Sequence, residues 1–233
     1  MKPYFDDNEG HRIFLGDCRE ILPQLEPCAV VITDPVWPNC PPDLLAGAQD
    51  PVGLFTGMVA SLLELPRRLV VVMRSDSDPR FLSAVPAALP FFRCQILPYV
   101  VPGYIGRKLG GDEIAYCFGE PIASAEGQRV IPGRGPSAQP NGRAAGGHPC
   151  ARTLPHARFL CRWWAEAGEI ILDPFCGSGT TLLAAKLLGL AAVGIEIDER
   201  YAEIAAERLA TARVLNFEPQ ASAEAVAQEL EFV

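Results

Sequence analysis

Short runs of aliphatic and β-branched residues recur along the chain, separated by longer stretches in which apolar positions return every three or four residues. The runs at Arg12–Leu15, Ala29–Thr33, Leu69–Met73, Cys94–Val101, Glu113–Phe118, Glu169–Leu172 and Ala192–Glu196 predict strands. The stretches Cys18–Leu25, Val52–Glu64, Pro79–Ala88, Pro155–Glu166, Thr180–Leu188 and Glu199–Thr211 predict helices between them. In the last of these, Tyr201, Ile204, Ala205 and Leu209 share a face and Asp198 stands ready as N-cap. Gly189 follows Leu188 as a C-terminal stop for the helix before it. Strands alternating with helices in this way predict an α/β domain built on a mostly parallel sheet.

One stretch breaks the alternation. Glu120–Gly147 holds six Gly and four Pro without apolar periodicity, and reads as a long mobile loop. From Gly127 to Ala165 there are six Arg (129, 134, 143, 152, 158 and 162) and no Asp or Glu. In a chain of 233 residues with a net charge of −8, this is the sizeable basic island, and bulk charge offers nothing to a polyanion elsewhere. The apolar fraction of 49% excludes wholesale disorder, and the length suits one domain, with residues 219–233 read as an Ala/Glu-rich tail. Eight Cys are scattered without a C-x-x-C pair, which predicts buried free thiols in a reducing compartment rather than a zinc site or disulfide framework. No apolar run approaches the roughly 18 residues of a membrane span, and residues 1–12 carry no signal-like run, so a cytoplasmic location is expected.

Two predicted strands end in chemistry. Ile170-Ile171-Leu172 runs into Asp173-Pro174-Phe175-Cys176-Gly177-Ser178-Gly179-Thr180, a glycine-rich turn that opens onto a helix whose first N–H groups are free for a ligand. The glycines allow backbone to approach that ligand, and no Lys follows them, which excludes a triphosphate-binding P-loop. The next strand ends in Glu196, at the spacing where an acid holds ribose hydroxyls in nucleotide-binding sheets. Val30-Val31-Ile32-Thr33 delivers a second carboxylate, Asp34, followed by Pro35, Val36 and Trp37. A carboxylate beside a backbone carbonyl can accept two hydrogen bonds from an amino group while an indole stacks on the attached ring. Both sites are expected on one edge, because ligands of open α/β sheets bind at strand carboxyl ends.

The turn at 173–180, with Asp34-Pro35-Val36-Trp37, Leu15-Gly16-Asp17-Cys18 and His148-Pro149-Cys150-Ala151-Arg152-Thr153, resembles the S-adenosylmethionine-dependent methyltransferases that modify exocyclic amines in DNA. The catalytic element precedes the cofactor turn, similar to that family's circularly permuted beta arrangement. Val36 stands where the family usually has a second Pro, and Arg152-Thr153 where it often has Lys-Pro. The resemblance implies one domain over residues 1–218 with a Rossmann-like, mostly parallel seven-stranded sheet and helices on both faces. It implies S-adenosylmethionine as cofactor and no metal, with cofactor contacts from Asp17, Cys18, Asp173, Phe175, Gly177, Ser178, Gly179, Thr180 and Glu196. Asp34 and the Pro35 carbonyl would orient the target amine, with Trp37 stacked on the base.

The resemblance also makes residues 120–147 a short target-recognition segment. DNA is then the expected partner, held by Arg129, Arg134, Arg143 and Arg152, with Tyr104 a further base contact. So short a segment leaves few side chains to read base edges, so low or short sequence specificity is expected. Asp at position 34 favours adenine N6 as acceptor. Cytosine N4 in DNA, adenine N6 in RNA, a small-molecule acceptor and a cofactor-binding accessory protein remain alternatives at this point, as do monomer and homodimer.

Overall fold

The computed structural model describes residues 1–99, 112–122, 132–139 and 149–212. Its sheet has eight strands: β1 Phe5–Asp6, β2 His11–Leu15, β3 Val30–Thr33, β4 Arg68–Arg74, β5 Phe91–Leu97, β6 Glu113–Gly119, β7 Ile170–Asp173 and β8 Ala191–Glu196. Their spatial order is β1-β2-β8-β7-β3-β4-β6-β5. The five strands from β2 to β4 run parallel, β6 is antiparallel to β4, and β5 is antiparallel to β6. The strand beyond the expected seven is β1, a two-residue antiparallel addition to β2 that is too short to leave a pattern in the sequence.

The helices are α1 Cys18–Ile21, α2 Pro51–Ala60, α3 Leu154–Trp164, α4 Thr180–Leu187 and α5 Glu199–Thr211. Alternate residues of the central strands feed two cores. Val30, Ile32, Val70 and Val72 pack with Leu160, Trp164, Leu182 and Ala205 of α3, α4 and α5. Val31, Leu69, Val71 and Met73 pack on the other face with Ile21, Phe55 and Met58 of α1 and α2. Central strands buried on both faces must be apolar throughout, which is why they read as continuous runs. The stretch at 79–88 shortens to a 3-10 helix over Pro79–Ala84. Asp198 caps α5 by accepting from the Arg200 N–H, and Gly189 ends the α4 segment at φ +71°.

This topology places the ligand crevice. From β3 the chain crosses through α2 to β4 on one side, and from β7 it crosses through α4 to β8 on the other, with the two helices on opposite faces. Strands β3 and β7 are paired neighbours, so the direction of winding reverses between them. At such a switch point the connecting loops diverge and leave a crevice at the strand carboxyl ends.

Where the sequence reads as one long loop, residues 132–139 are tied to the sheet. Gly133 O accepts from Ile96 N at 2.9 Å, Gly135 N donates to Ile96 O at 2.8 Å, and Ala138 N donates to Pro98 O at 3.0 Å. The segment therefore lies along the outer edge of β5 and satisfies backbone groups that an edge strand leaves open. Tyr104, Arg129, Arg143 and the tail at 219–233 lie outside the described residues. Among the described residues, no helix is long and apolar enough to cross a membrane. Five of the eight Cys are buried and Cys94 is exposed.

Candidate functional site

A cavity of about 470 Å³ opens at the switch point. That volume is in the range of sites that enclose a nucleoside-sized ligand. Its walls contain Asp34, Pro35, Val36 and Trp37 from the end of β3, and Asp173, Phe175, Gly177, Ser178 and Thr180 from the turn after β7. Asp17, Cys18 and Glu196 complete the far side. The two strand ends singled out in the sequence thus share one cleft.

The β7–β8 side is fully hydrogen-bonded. Asp173 is 2% exposed and its Oδ1 accepts from Thr33 Oγ1 at 2.9 Å and from Phe175 N at 3.2 Å, which ties β3 to β7 across the switch point. Burial nonetheless pushes its carboxyl above the ordinary range. Glu196 Oε2 accepts from Gly177 N and Oε1 from Asp198 N, both at 2.8 Å, so this acid braces the glycine turn from β8. Gly177 lines the cavity at φ +51°, a left-handed conformation that glycine adopts without strain. Behind the turn, Arg208 of α5 donates to Ser178 O and, at 3.1 Å, to Thr180 Oγ1. The pattern of α5 marks its apolar face and gives no hint of that arginine's target.

Two expected cofactor contacts have other work in this structure. Gly179 does not line the cavity; a Cβ there would stand 2.7 Å from Ala205 Cβ, so its role is close packing of α4 on α5. Asp17 is the N-cap of α1, and Arg19 grips its carboxylate through Nε at 2.9 Å and Nη2 at 2.5 Å. The Arg19 hydrogen bonds hold that carboxyl below its ordinary value.

The β3 side differs in kind. Asp34 follows β3 with its side chain 19% exposed, and Oδ2 lies 2.5 Å from Arg152 Nη2. Arg152 is itself 6% exposed and spans to Glu113, with Nη1 2.9 Å from Oε2. This corrects the reading of Arg152 as a nucleic-acid contact: it is a buried partner of Asp34 and Glu113, whereas Arg134, Arg158 and Arg162 of the same basic island are exposed. Desolvation, with Glu113 and Asp173 adding to it and Arg152 only partly offsetting it, brings the Asp34 carboxyl up to about 7. Glu113 stays below its ordinary range because Arg152 first, then His156 and the Tyr99 hydroxyl, favour its ionised form against burial.

Trp37 lines the cavity but is only 6% exposed, packed with Val36, Cys40, Ala48, Leu45 and Cys150. It forms a wall there and is not the open platform expected from its place in the tetrapeptide. Buried side-chain atoms without a hydrogen-bond partner among the described residues include Asp34 Oδ1, Trp37 Nε1, Thr153 Oγ1 and His156 Nδ1, all at or beside this end of the cleft. Buried polar groups are normally paired, so such a concentration marks a place prepared for further partners.

Sequence reasoning missed Glu113, Arg208 and the segment Pro42–Gly47, which supplies the outer cavity wall. Glu113 reaches Arg152, which lines the cleft, because β6 runs antiparallel to β4, with Glu113 opposite Arg74, the last residue of β4. A charged residue opening an otherwise apolar strand was the available signal.

Comparison with known proteins agrees with this geometry. A model of a DNA methylase family, that of N6/N4 enzymes, matches residues 122–207, which include the turn after β7 and Glu196. The orphan methyltransferase M.BamHII of Bacillus amyloliquefaciens is 48% identical over 46 residues, a stretch that is 20% of this chain and 17% of that protein. The sequence match to this curated relative therefore spans under a fifth of its length. The structure of an M1.HpyAVI–SAM complex superposes with a TM-score of 0.63 at 22% identity, covering 85% of this chain and 98% of the other. PvuII DNA methyltransferase, described as cytosine-N4-specific, gives 0.62 at 17% identity over 94% and 90%. These likenesses extend the shared fold over most of both chains. The sequence signature of the N6/N4 DNA methylase family thus lies over residues 122–207, on a fold that the chain shares with these solved structures.

Proposed function

We propose that this chain transfers a methyl group from S-adenosylmethionine to the exocyclic N6 amine of adenine in DNA, with low or short sequence specificity. The observation that carries the reading is Asp34 Oδ1, a buried acceptor with no partner among the described residues, in the same cavity wall system as the Gly177 turn.

The cavity fits the cofactor at three points. Gly177 presents backbone without a side chain, Phe175 offers an apolar ring at the turn, and Glu196 retains acceptor capacity for a diol after bonding two N–H groups. When bound, this cofactor supplies an electrophilic methyl group carried on a sulfonium.

The remaining chemistry belongs to the chain. An amine conjugated to a purine is a poor nucleophile because its lone pair is delocalised into the ring. Hydrogen bonds from its N–H groups to Asp34 Oδ1 and the Pro35 carbonyl favour a pyramidal nitrogen with the lone pair directed into the cleft. This is catalysis by alignment and electrostatics. As the nitrogen gains carbon it must shed one proton, and Asp34, with its carboxyl near 7, is suited to hold that proton at Oδ1. No cysteine nucleophile is needed. A base reaches so enclosed a site only when extrahelical or single-stranded.

Asp34 favours adenine as acceptor, and likeness to a cytosine-N4 enzyme keeps that amine as the second reading. Purified protein incubated with labelled cofactor and DNA or RNA oligomers, then digested to nucleosides, tests both. Label on N6-methyldeoxyadenosine supports the proposal; label on N4-methyldeoxycytidine or on RNA nucleosides replaces the acceptor. Cofactor binding without any transfer reduces the chain to an accessory protein.

A further inference from the structure

Arg152 serves two carboxylates at once. Nη2 faces Asp34 Oδ2 at 2.5 Å and Nη1 faces Glu113 Oε2 at 2.9 Å, with all three side chains largely buried. A guanidinium is a rigid planar fork, so fixing one edge fixes where the other points. We propose that Glu113 is a positioning residue for Asp34: by holding the far edge of Arg152 it sets the direction from which Asp34 Oδ2 is gripped and the share of positive charge that Asp34 receives. Oδ1 alone is then turned toward an incoming amine. The rate consequences of this role rest on the methyl-transfer reading above; the electrostatic arrangement does not.

The surroundings of the triad explain why its two acids behave differently. Glu113 has Arg152 and the Tyr99 hydroxyl, and His156 Nδ1 stands 3.9 Å from its Oε2, too far for a hydrogen bond but facing it. His156 itself is held by Nε2, which lies 3.0 Å from both the Pro98 and Pro136 carbonyls, so that nitrogen carries the hydrogen and donates to them. Among the described residues, Asp34 has Arg152 alone as its cation and is opposed by desolvation, by Glu113 and by Asp173 from β7, with the Cys150 thiol alongside. Asp34 is therefore the acid that yields its charge first. The strand pairing makes the device possible, since the start of antiparallel β6 and the end of parallel β3 meet at one sheet edge.

The test is the titration of the Asp34 carboxyl in the full chain, followed by carbon-13 NMR of aspartate-labelled protein and assigned with Asp34→Asn. Glu113→Gln gives Asp34 undivided use of Arg152 and is expected to lower the midpoint by about one pH unit, the scale of coupling between adjacent buried sites. Arg152→Lys, a point charge unable to bridge both acids, is expected to raise it. Opposite shifts distinguish positioning from general loosening of the fold, and the lysine variant keeps the test alive should Glu113→Gln not fold. In methyl-transfer assays the acid limb of the pH profile moves with each midpoint. In Glu113→Gln, kcat falls about tenfold, as expected for lost alignment, while KM for the cofactor is unchanged. An Asp34 midpoint that stays at the wild-type value in both variants overturns the proposal, even where transfer is observed. Shifted midpoints without transfer to any nucleic acid uphold the positioning role and remove the methyl-transfer reading instead.

Discussion

Two buried arginines stand at opposite ends of the sheet, and they are surrounded very differently. Arg68, at the amino end of β4, is fully buried and donates to Glu169 at 2.6 Å, Glu166 at 2.9 Å, and the Trp164 and Glu120 carbonyls at 3.2 Å. Arg152, at the carboxyl end, holds Asp34 and Glu113, and around it lie Asp34 Oδ1, Trp37 Nε1, Thr153 Oγ1 and His156 Nδ1, buried and without partners among the described residues. The same chemical group closes a network in one place and leaves one incomplete in the other. A buried ion pair is weak evidence of stability, but an incomplete polar cluster at a cleft is evidence of a site awaiting a ligand.

The two ends of the sheet should differ most at Asp34. Asp34→Ala is expected to lower methyl transfer on the order of a thousandfold while leaving cofactor affinity within a fewfold of wild type, as read by calorimetry and labelled-transfer assays. Gly177→Leu should do the reverse, losing cofactor affinity because a side chain at φ +51° is strained and intrudes on the cavity. Equal loss of cofactor binding in both variants would erase the distinction between the two sides of the cleft.

Arg68→Met provides the contrasting case. Removing the cation of a satisfied buried network leaves Glu169, 12% exposed, with Arg67 at 3.5 Å as its remaining cationic partner, and about 3 kcal/mol of stability should be lost in denaturant unfolding. Transfer by the protein that remains folded should stay within about twofold of wild type, because the group sits at the amino ends of the strands, opposite the cleft.

A smaller effect separates stability from activity. The Asp34 carboxyl lies near 7 in the folded chain against 3.8 when unperturbed, so the folded state binds the extra proton between those values. Its contribution to stability is complete below about pH 4 and is lost as the pH rises through 7. The ionised acceptor form appears over the same upper interval. Transfer is therefore expected to rise with a midpoint near 7, while the melting temperature falls relative to that of Asp34→Asn. Parallel rise of both quantities would place the Asp34 proton elsewhere.

The smallest expected change concerns the surface. Arg134, Arg158 and Arg162 are exposed, and changing all three to Ala should weaken DNA binding uniformly across sequences. The slope of log K against log salt would fall by up to about 3 in filter-binding titrations if each meets a phosphate. An unaltered slope removes this face from the interface.

Much of this arrangement was legible in the sequence because strands and turns obey local rules. Apolar runs located the parallel strands, Asp34, Asp173 and Glu196 announced themselves as acids closing such runs, and Asp198 and Gly189 marked helix ends through capping chemistry. What stayed hidden depends on depth and on distant pairing. Arg152 belongs to an acid-free stretch and reads as surface charge, yet its partners come from β3 and β6. Glu113 is far along the chain from Asp34, and only the antiparallel direction of β6 brings it to Arg152. Gly179 looks like part of a ligand-facing turn, and its contact with Ala205 requires knowing how α5 packs. Trp37 carries the aromatic identity the tetrapeptide leads one to expect, but its burial depends on Leu45, Cys150 and neighbours that no motif includes.

The central claim is that Asp34 and the glycine turn act on one acceptor amine within one cleft. Nucleoside analysis of DNA from host cells lacking N6-methyladenine, expressing either the wild-type chain or Asp34→Ala, tests it most directly. N6-methyldeoxyadenosine is expected with the wild type and none with the variant at matched protein levels. DNA free of amine methylation in both, or a methyl group on carbon 5 of cytosine, would contradict it.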